Sequence, residues 1–418
     1  MKSYNWNKFK LGDAAEEVRN LFEPSKESVW QYIGLEHIEQ YTLKLNGVGK
    51  STDTISTKKR FEQGEILFGS LRPYFRKVVR PKFRGVCSTD ITVIKAKPGF
   101  DVCFLHYLIA SQNFIDRASN VSSGTRMPRA NWKVLSETEW NFPPVTTQHK
   151  IAAILSAYDD LIENNLRRIK ILEEMAQNLY REWFVNFRFP GHEKTRFVDS
   201  PLGRIPEGWE VRRLDEVCLY VVDGDWIETK DQGGSDFRLI QISNIGLGNF
   251  VEKGNYRYIN DEVFKRLHCT EVLPDDLLIA RMPKPIGRAW LVRKMPWRMI
   301  TAVDIAIARP KISYIQPLYL MHFWNQPSTL EMIEKMSSGT TRLRITRREI
   351  CAFPIPIPNN ELQHIFIDNV MPMSNLINSL QDKNDILRQT RDLLLPKLIS
   401  GEVDVSELDI SVPEEVAS

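Results

Sequence analysis

Between residues 146 and 185, side chains suited to burial recur in alternating steps of three and four. They are Leu155, Tyr158, Ile162, Asn165, Ile169, Leu172, Ala176, Leu179 and Trp183. That spacing is a heptad seam, the pattern of a helix that packs along its length against another helix. Residues 361–400 carry a second seam, through Val370, Met373, Ile377, Leu380, Asn384, Leu387, Arg391, Leu394 and Leu398. Prolines mark both helix starts, Pro143 and Pro144 before one, Pro354, Pro356 and Pro358 before the other, because a residue preceding proline avoids the helical region. A helix of about 38 residues spans about 57 Å. Each seam holds one asparagine, Asn165 or Asn384, and a polar seam residue fixes register at a cost in stability. The blander reading is that each helix only caps its own domain, but four heptads exceed what a cap needs.

Outside these helices the period changes. TDITVIKA (89–96) and VDIAIAR (303–309) are short β-branched runs punctuated by Gly and Pro, as strands are. Residues 1–145 and 207–358 therefore read as two mostly-β domains, each with one helix, near 101–119 and near 316–336. Residues 146–185 and 359–404 are the helical regions, 186–206 a Pro- and Gly-containing linker, and 405–418 a tail. The expected fold class is α+β.

The two halves are related. SSGT at 122–125 returns at 337–340, and the register holds without a gap from 122–185 to 337–400, with 13 of 64 positions identical. These include Arg129/Arg344, Pro143/Pro358, Gln148/Gln363, His149/His364, Leu161/Leu376, Ile162/Ile377, Ile171/Ile386, Leu172/Leu387 and Leu179/Leu394. Upstream, GEILFGSLRPYF from Gly64 pairs more loosely with DDLLIARMPKPI from Asp275, and STDITVI (88–94) with AVDIAIA (302–308). A unit of about 200 residues is a duplicated domain, since solenoid repeats run to about 20–50. If a pseudo-twofold axis relates the copies, the helices run antiparallel and pair as a coiled coil.

Net charge over the 418 residues is only +3, but the cations are concentrated. Leu71 to Gly85 contains Arg72, Arg76, Lys77, Arg80, Lys82 and Arg84 with no acid, and Tyr74, Phe75 and Phe83 lie among them. Arg281 to Arg298 contains Arg281, Lys284, Arg288, Arg293, Lys294 and Arg298, again with no acid, beside Trp290 and Trp297. After each SSGT comes a further group: Arg126, Arg129 and Lys133, then Arg342, Arg344, Arg347 and Arg348. Any one segment could be a solvated outer face; matching acid-free segments in two domains suit a polyanion. The DNA-contact candidates are Arg72, Arg76, Lys77, Arg126, Arg129, Arg281, Lys284, Arg288, Arg342, Arg344 and Arg347.

Catalytic patterns do not assemble. NGVGKS (46–51) resembles a P-loop but has Lys44 where its first glycine belongs. NFPP (141–144) has the wrong order for the Asn-Pro-Pro-aromatic motif of amino-methyltransferases, and no glycine-rich cofactor loop follows a strand. Five scattered cysteines form no C-x-x-C pair and suit reduced thiols in a cytoplasm. The first residues, MKSYNWNKFKLGD, lack a signal-peptide core, and no run of 18 uncharged apolar residues exists. The chain reads as a binder, with neither catalytic nor metal site nor cofactor of its own.

WFVNFRFPG, LGRIPEGWEVRRLDEV and LLLPKLISGEVDV resemble the specificity (S) subunits of type I restriction–modification systems, and the resemblance covers essentially the whole chain. It implies two target-recognition domains on double-stranded DNA, each reading one half of an asymmetric bipartite target, with the helices setting the spacer. It also implies docking of two methyltransferase (M) subunits, which carry S-adenosylmethionine, and of endonuclease (R) subunits. The expected location is the cytoplasm, on the nucleoid when bound to DNA. A stand-alone two-domain DNA-binding regulator is the alternative.

Overall fold

The first four residues of Ile91–Ala96 are all buried, so both sides of the strand are covered there. In this computed structural model it is an inner strand of a four-stranded antiparallel sheet ordered Ala15–Val18, Ile91–Ala96, Ile66–Gly69, Val78–Val79. Ile94, Ile66 and Phe68 pack with the helices Val102–Ala110 and Gln112–Asn120. Ile91, Val93 and Leu67 pack the other way, against Ile33, Phe61 and Cys87 of a five-stranded sheet. A strand covered twice loses the alternation of a half-exposed one, which is why Ile91 to Ile94 are buried in succession. The structure describes residues 6–25, 27–124, 126–252, 254, 256–339 and 342–413.

The chain divides into two units, residues 1–166 with 381–418, and residues 167–380. Each is mixed, with several helices and sheets. Unit 2 has a four-stranded sheet ordered Cys218–Asp223, Ile305–Pro310, Leu277–Ala280, Ala289–Leu291, the same succession as in unit 1. Leu277, Ile279, Ala306 and Ala308 face the helices Pro317–Trp324 and Pro327–Met336, while Leu278, Ala280, Ile305 and Ile307 face Ile240 and Met299. Each unit also contains a parallel strand pair, Gln31–Ile33 with Gly85–Cys87 and Phe237–Ile240 with Arg298–Thr301.

The single helices expected near 101–119 and 316–336 are each two. Ser111 stops one helix and caps the next, its hydroxyl accepting the Phe114 N–H at 3.3 Å; Pro327 opens the second helix of the other pair. The stretch 186–206, expected as a linker, contains the hairpin Phe197–Ser200 with Gly203–Pro206, and it buries Phe189 and Ile205 in unit 2.

The long helices are Val145–Tyr180, continued by a π turn Arg181–Val185, and Asn360–Ser400. Gln148 anchors the first start, donating to the Pro143 carbonyl at 2.9 Å and accepting the Asp101 N–H at 2.9 Å. Gln363 repeats this on the second, donating to Pro358 at 3.0 Å and accepting from Gln316 at 2.9 Å. Leu155, Ile162, Ile169 and Ala176 are buried, with Tyr158, Asn165, Leu172, Leu179 and Trp183 partly so; Val370, Leu380, Asn384, Arg391 and Leu398 are buried, with Met373, Ile377, Leu387 and Leu394 partly so. Within unit 1 the Asn165 amide donates to the Asn384 side chain at 2.9 Å. Unit 2 closes the same kind of contact with rings, Phe184 lying 4.9 Å from Tyr319 and 5.0 Å from Phe366.

Arg391 is the costliest residue of the unit 1 seam, with its side chain 1% exposed. It is bonded to Asp159 and Asp392, and Asp159 accepts the Tyr107 hydroxyl at 2.7 Å. Burial alone would lower its pKa; Asp159 and Asp392 outweigh burial and hold it above the ordinary arginine value. Removing one partner of such a group leaves the other uncompensated. Arg391→Ala should therefore cost about 3–5 kcal/mol in a denaturant titration, whereas a loss below about 1 kcal/mol would show that the cluster does not hold the unit together.

Candidate nucleic-acid interface

The first residues of each SSGT are closed against a following arginine in the same way. The N–H of Ser123 donates to the Arg129 carbonyl at 3.1 Å and the return bond is 3.0 Å; Ser338 and Arg344 exchange bonds of 3.1 and 2.9 Å. Closing the chain so tightly needs a left-handed residue. Gly124 (φ 98°) and Gly339 (φ 129°) supply it, and a Cβ at Gly339 would meet the Arg342 carbonyl at 2.4 Å. Thr125 and Thr340, the last letters of the motif, lie outside the described residues, as does Thr341.

A carboxylate at the head of each central strand ties the loop down. Arg129 pairs with Asp90 at 2.5 Å and Arg344 with Asp304 at 3.0 Å. The same aspartates' carbonyls receive the adjoining loop, Ser70 N–H onto Asp90 at 2.9 Å and Arg281 N–H onto Asp304 at 3.0 Å. In unit 1 the two loops also join directly, Arg72 N–H donating to Pro128 at 2.7 Å and the Arg72 guanidinium to the Arg126 carbonyl at 3.4 Å.

The eleven candidate cations separate into two groups. Arg72, Arg126, Arg129, Arg342 and Arg347 are exposed and Arg344 is half-buried, all on or beside these loops, with Arg347 3.7 Å from Asp223. Arg76, Arg281 and Arg288 are buried, which corrects the expectation that they face a polyanion. Arg76 donates to the Ala110 carbonyl at 2.6 Å. Arg281 bonds Asp223 and donates to the Ile345 carbonyl at 3.0 Å. Arg288 donates to Ile245 at 2.7 Å and Ile242 at 3.0 Å, and half-buried Lys77 donates to the Leu35 carbonyl. Burial pulls the pKa of all four below its ordinary value. Lys284 is exposed but already paired with Glu334. These side chains satisfy carbonyls that no strand reaches, which is an internal duty.

The surface that remains is cationic, loop-borne and acid-buttressed. An exposed ion pair such as Arg129–Asp90 is worth at most about 1 kcal/mol, so a phosphate can take the guanidinium at little cost. Among the described residues, no group of three or more His, Cys, Asp or Glu could hold a metal ion, and no helix is long and apolar enough to cross a membrane.

Comparison with known proteins decides the family. Residues 4–174 match the model of the type I restriction modification DNA specificity domain. The chain is 27% identical over 355 residues to the type I restriction enzyme MjaIX specificity subunit of Methanocaldococcus jannaschii, covering 83% of this chain and 79% of that one. The HindI specificity subunit of Haemophilus influenzae is 24% identical, covering 96% and 100%. Residues 4–174 therefore carry a type I restriction modification DNA specificity domain, and the relatives that span most of the chain are specificity subunits. A crystal structure of such an S subunit from M. genitalium is 16% identical, with a TM-score of 0.56 over 95% of this chain and 97% of that one, and so shares the fold.

Counting cations along the sequence missed Asp90 and Asp304. Both lie in the strings STDITVI and AVDIAIA, so the repeat had already aligned them. Arg348 is a further exposed cation beside the unit 2 loop. The division between internal and presented cations is testable. Arg288→Ala should destabilise the protein by about 3 kcal/mol, because it orphans buried carbonyls, while Arg126→Ala should stay within about 0.5 kcal/mol. Denaturant titration measures both, and the reverse order would contradict the assignment.

Proposed function

We propose that this specificity subunit recognises an asymmetric bipartite DNA target, with one half-site read by residues 1–145 and the other by 207–358. The supporting observation is the pair of SSGT loops, closed by the same backbone hydrogen bonds and the same Arg–Asp pair and unequal in the side chains around them. Equal frames suit one docking geometry; unequal side chains suit two different half-sites. The long helices act as an antiparallel coiled coil relating the domains by a pseudo-twofold axis and setting the unread spacer. Half-sites read from one side of the duplex lie about one helical turn, roughly 34–36 Å, apart. Catalysis belongs to the partners: two M subunits with S-adenosylmethionine, and R subunits for cleavage. All of this takes place in the cytoplasm, at the nucleoid.

The repeat also suggests where the M subunits dock. Leu161 and Ile386 in unit 1 and Leu376 and Ile171 in unit 2 are exposed apolar residues at equivalent positions, with identities kept in both copies. Apolar identity without burial argues for a partner that binds twice.

Exchanging residues 1–145 for the same span of a relative should change one half-site and leave the other. A change in both or in neither would refute the modular reading. Inserting four residues, about one helical turn, in both long helices should lengthen the spacer, and an unchanged spacer would mean that the helices are not the ruler. Leu161→Asp combined with Leu376→Asp should abolish co-purification of M subunits at unchanged melting temperature; retained co-purification would exclude this face.

A further inference from the structure

Seven non-glycine residues among those described have positive φ: Tyr41, Leu43, Arg72, Arg76, Phe187, His268 and Asp275. Four of the seven lie in two loops of unit 1 that touch, the Tyr41 hydroxyl donating to the Tyr74 carbonyl at 3.2 Å. L-residues stay in this region only where the surroundings impose it, and such strain concentrates where a side chain must be presented. Here the imposed turn is Pro73–Phe75, with Arg72 (φ 52°) before it and Arg76 (φ 47°) after it.

The turn is clamped from both ends. Arg72 N–H donates to Pro128 at 2.7 Å, Pro73 is buried, and the Arg76 guanidinium donates to Ala110 at 2.6 Å. Despite these ties, Tyr74 at the centre stays 44% exposed and Tyr41 beside it 50% exposed. The Tyr74 ring rests on Phe75 at 4.8 Å and has exposed Arg72 two residues away. Interior packing explains Phe75 and Arg76; it does not explain two exposed phenols on a strained, clamped turn.

Unit 2 carries different chemistry at the same place. Gly69 N–H bonds the Lys77 carbonyl at 2.8 Å and Ala280 N–H bonds the Arg288 carbonyl at 2.9 Å, which aligns Ser70–Arg76 with Arg281–Gly287. That span of unit 2 holds no aromatic residue, and its exposed cation Lys284 is paired with Glu334. A rigid ring beside an exposed guanidinium is suited to the face of a base at an unstacked step, and the pair is present in unit 1 only.

We propose that Tyr74, held in place by Tyr41, is a specificity-determining residue of unit 1 that contacts a base of its half-site, with Arg72 on the neighbouring phosphate. This rests on the two-half-site reading above. The test is methylation profiling, by long-read sequencing of a randomised target library, of the full chain with its M subunits. Tyr74→Ala should lower discrimination about tenfold at one or more positions of one half-site, with the other unchanged. Tyr74→Phe, which keeps the ring, should retain the wild-type profile. If Tyr74→Ala does not fold, Tyr41→Phe removes only the hydroxyl that positions the turn, and it should weaken the same half-site alone. A wild-type profile without two half-sites sinks the underlying reading as well. Two half-sites in the wild type with Tyr74→Ala unmoved, or weakened equally at both, sinks this proposal alone.

Discussion

The presented surface of each unit depends on a carboxylate where a doubly buried strand begins. Asp90 and Asp304 stand at the heads of strands whose both faces are covered, so their positions are fixed by packing on two sides. From there each pins a guanidinium with its side chain and a neighbouring loop with its carbonyl. Loops carry function when a rigid scaffold positions them, and here the scaffold reaches the loop through one residue. Divergence of the side chains around the loop then leaves its position unaltered.

The cations show why charge alone is a coarse guide. Lys77 and Arg288 are aligned by the sheet, and both donate to equivalent carbonyls, Leu35 and Ile242, at the start of equivalent short turns. One unit uses lysine and the other arginine for the same internal tie. In the sequence each appears as another positive residue in an acid-free run. Whether a long side chain turns inward depends on which carbonyls the fold leaves without a strand partner, and that is decided only when the sheets are assembled.

Features with a period were readable beforehand. The seam positions from Leu155 to Leu398 are all buried or half-buried, though Tyr180, Phe366, Leu395 and Ile399 are buried off the seam as well. The repeat register was readable too: Gln148 and Gln363, identical in the alignment, make the same pair of bonds. Features without a period were not. The break at Ser111 rests on one hydroxyl, the hairpin inside 186–206 on burying Phe189 and Ile205, and the presentation of Tyr74 on φ values forced by distant clamps. None of these follows from composition or spacing, since each depends on what the rest of the chain brings alongside.

We infer that one chain reads two different DNA words at a fixed separation. It is tested most directly by expressing the full chain with its methyltransferase partner in a host free of other DNA methylation and mapping every modified position. The expected map has a single asymmetric target, two unlike half-sites flanking an unread spacer, with their centres about 10 base pairs apart. A contiguous target, or two identical half-sites, would contradict it.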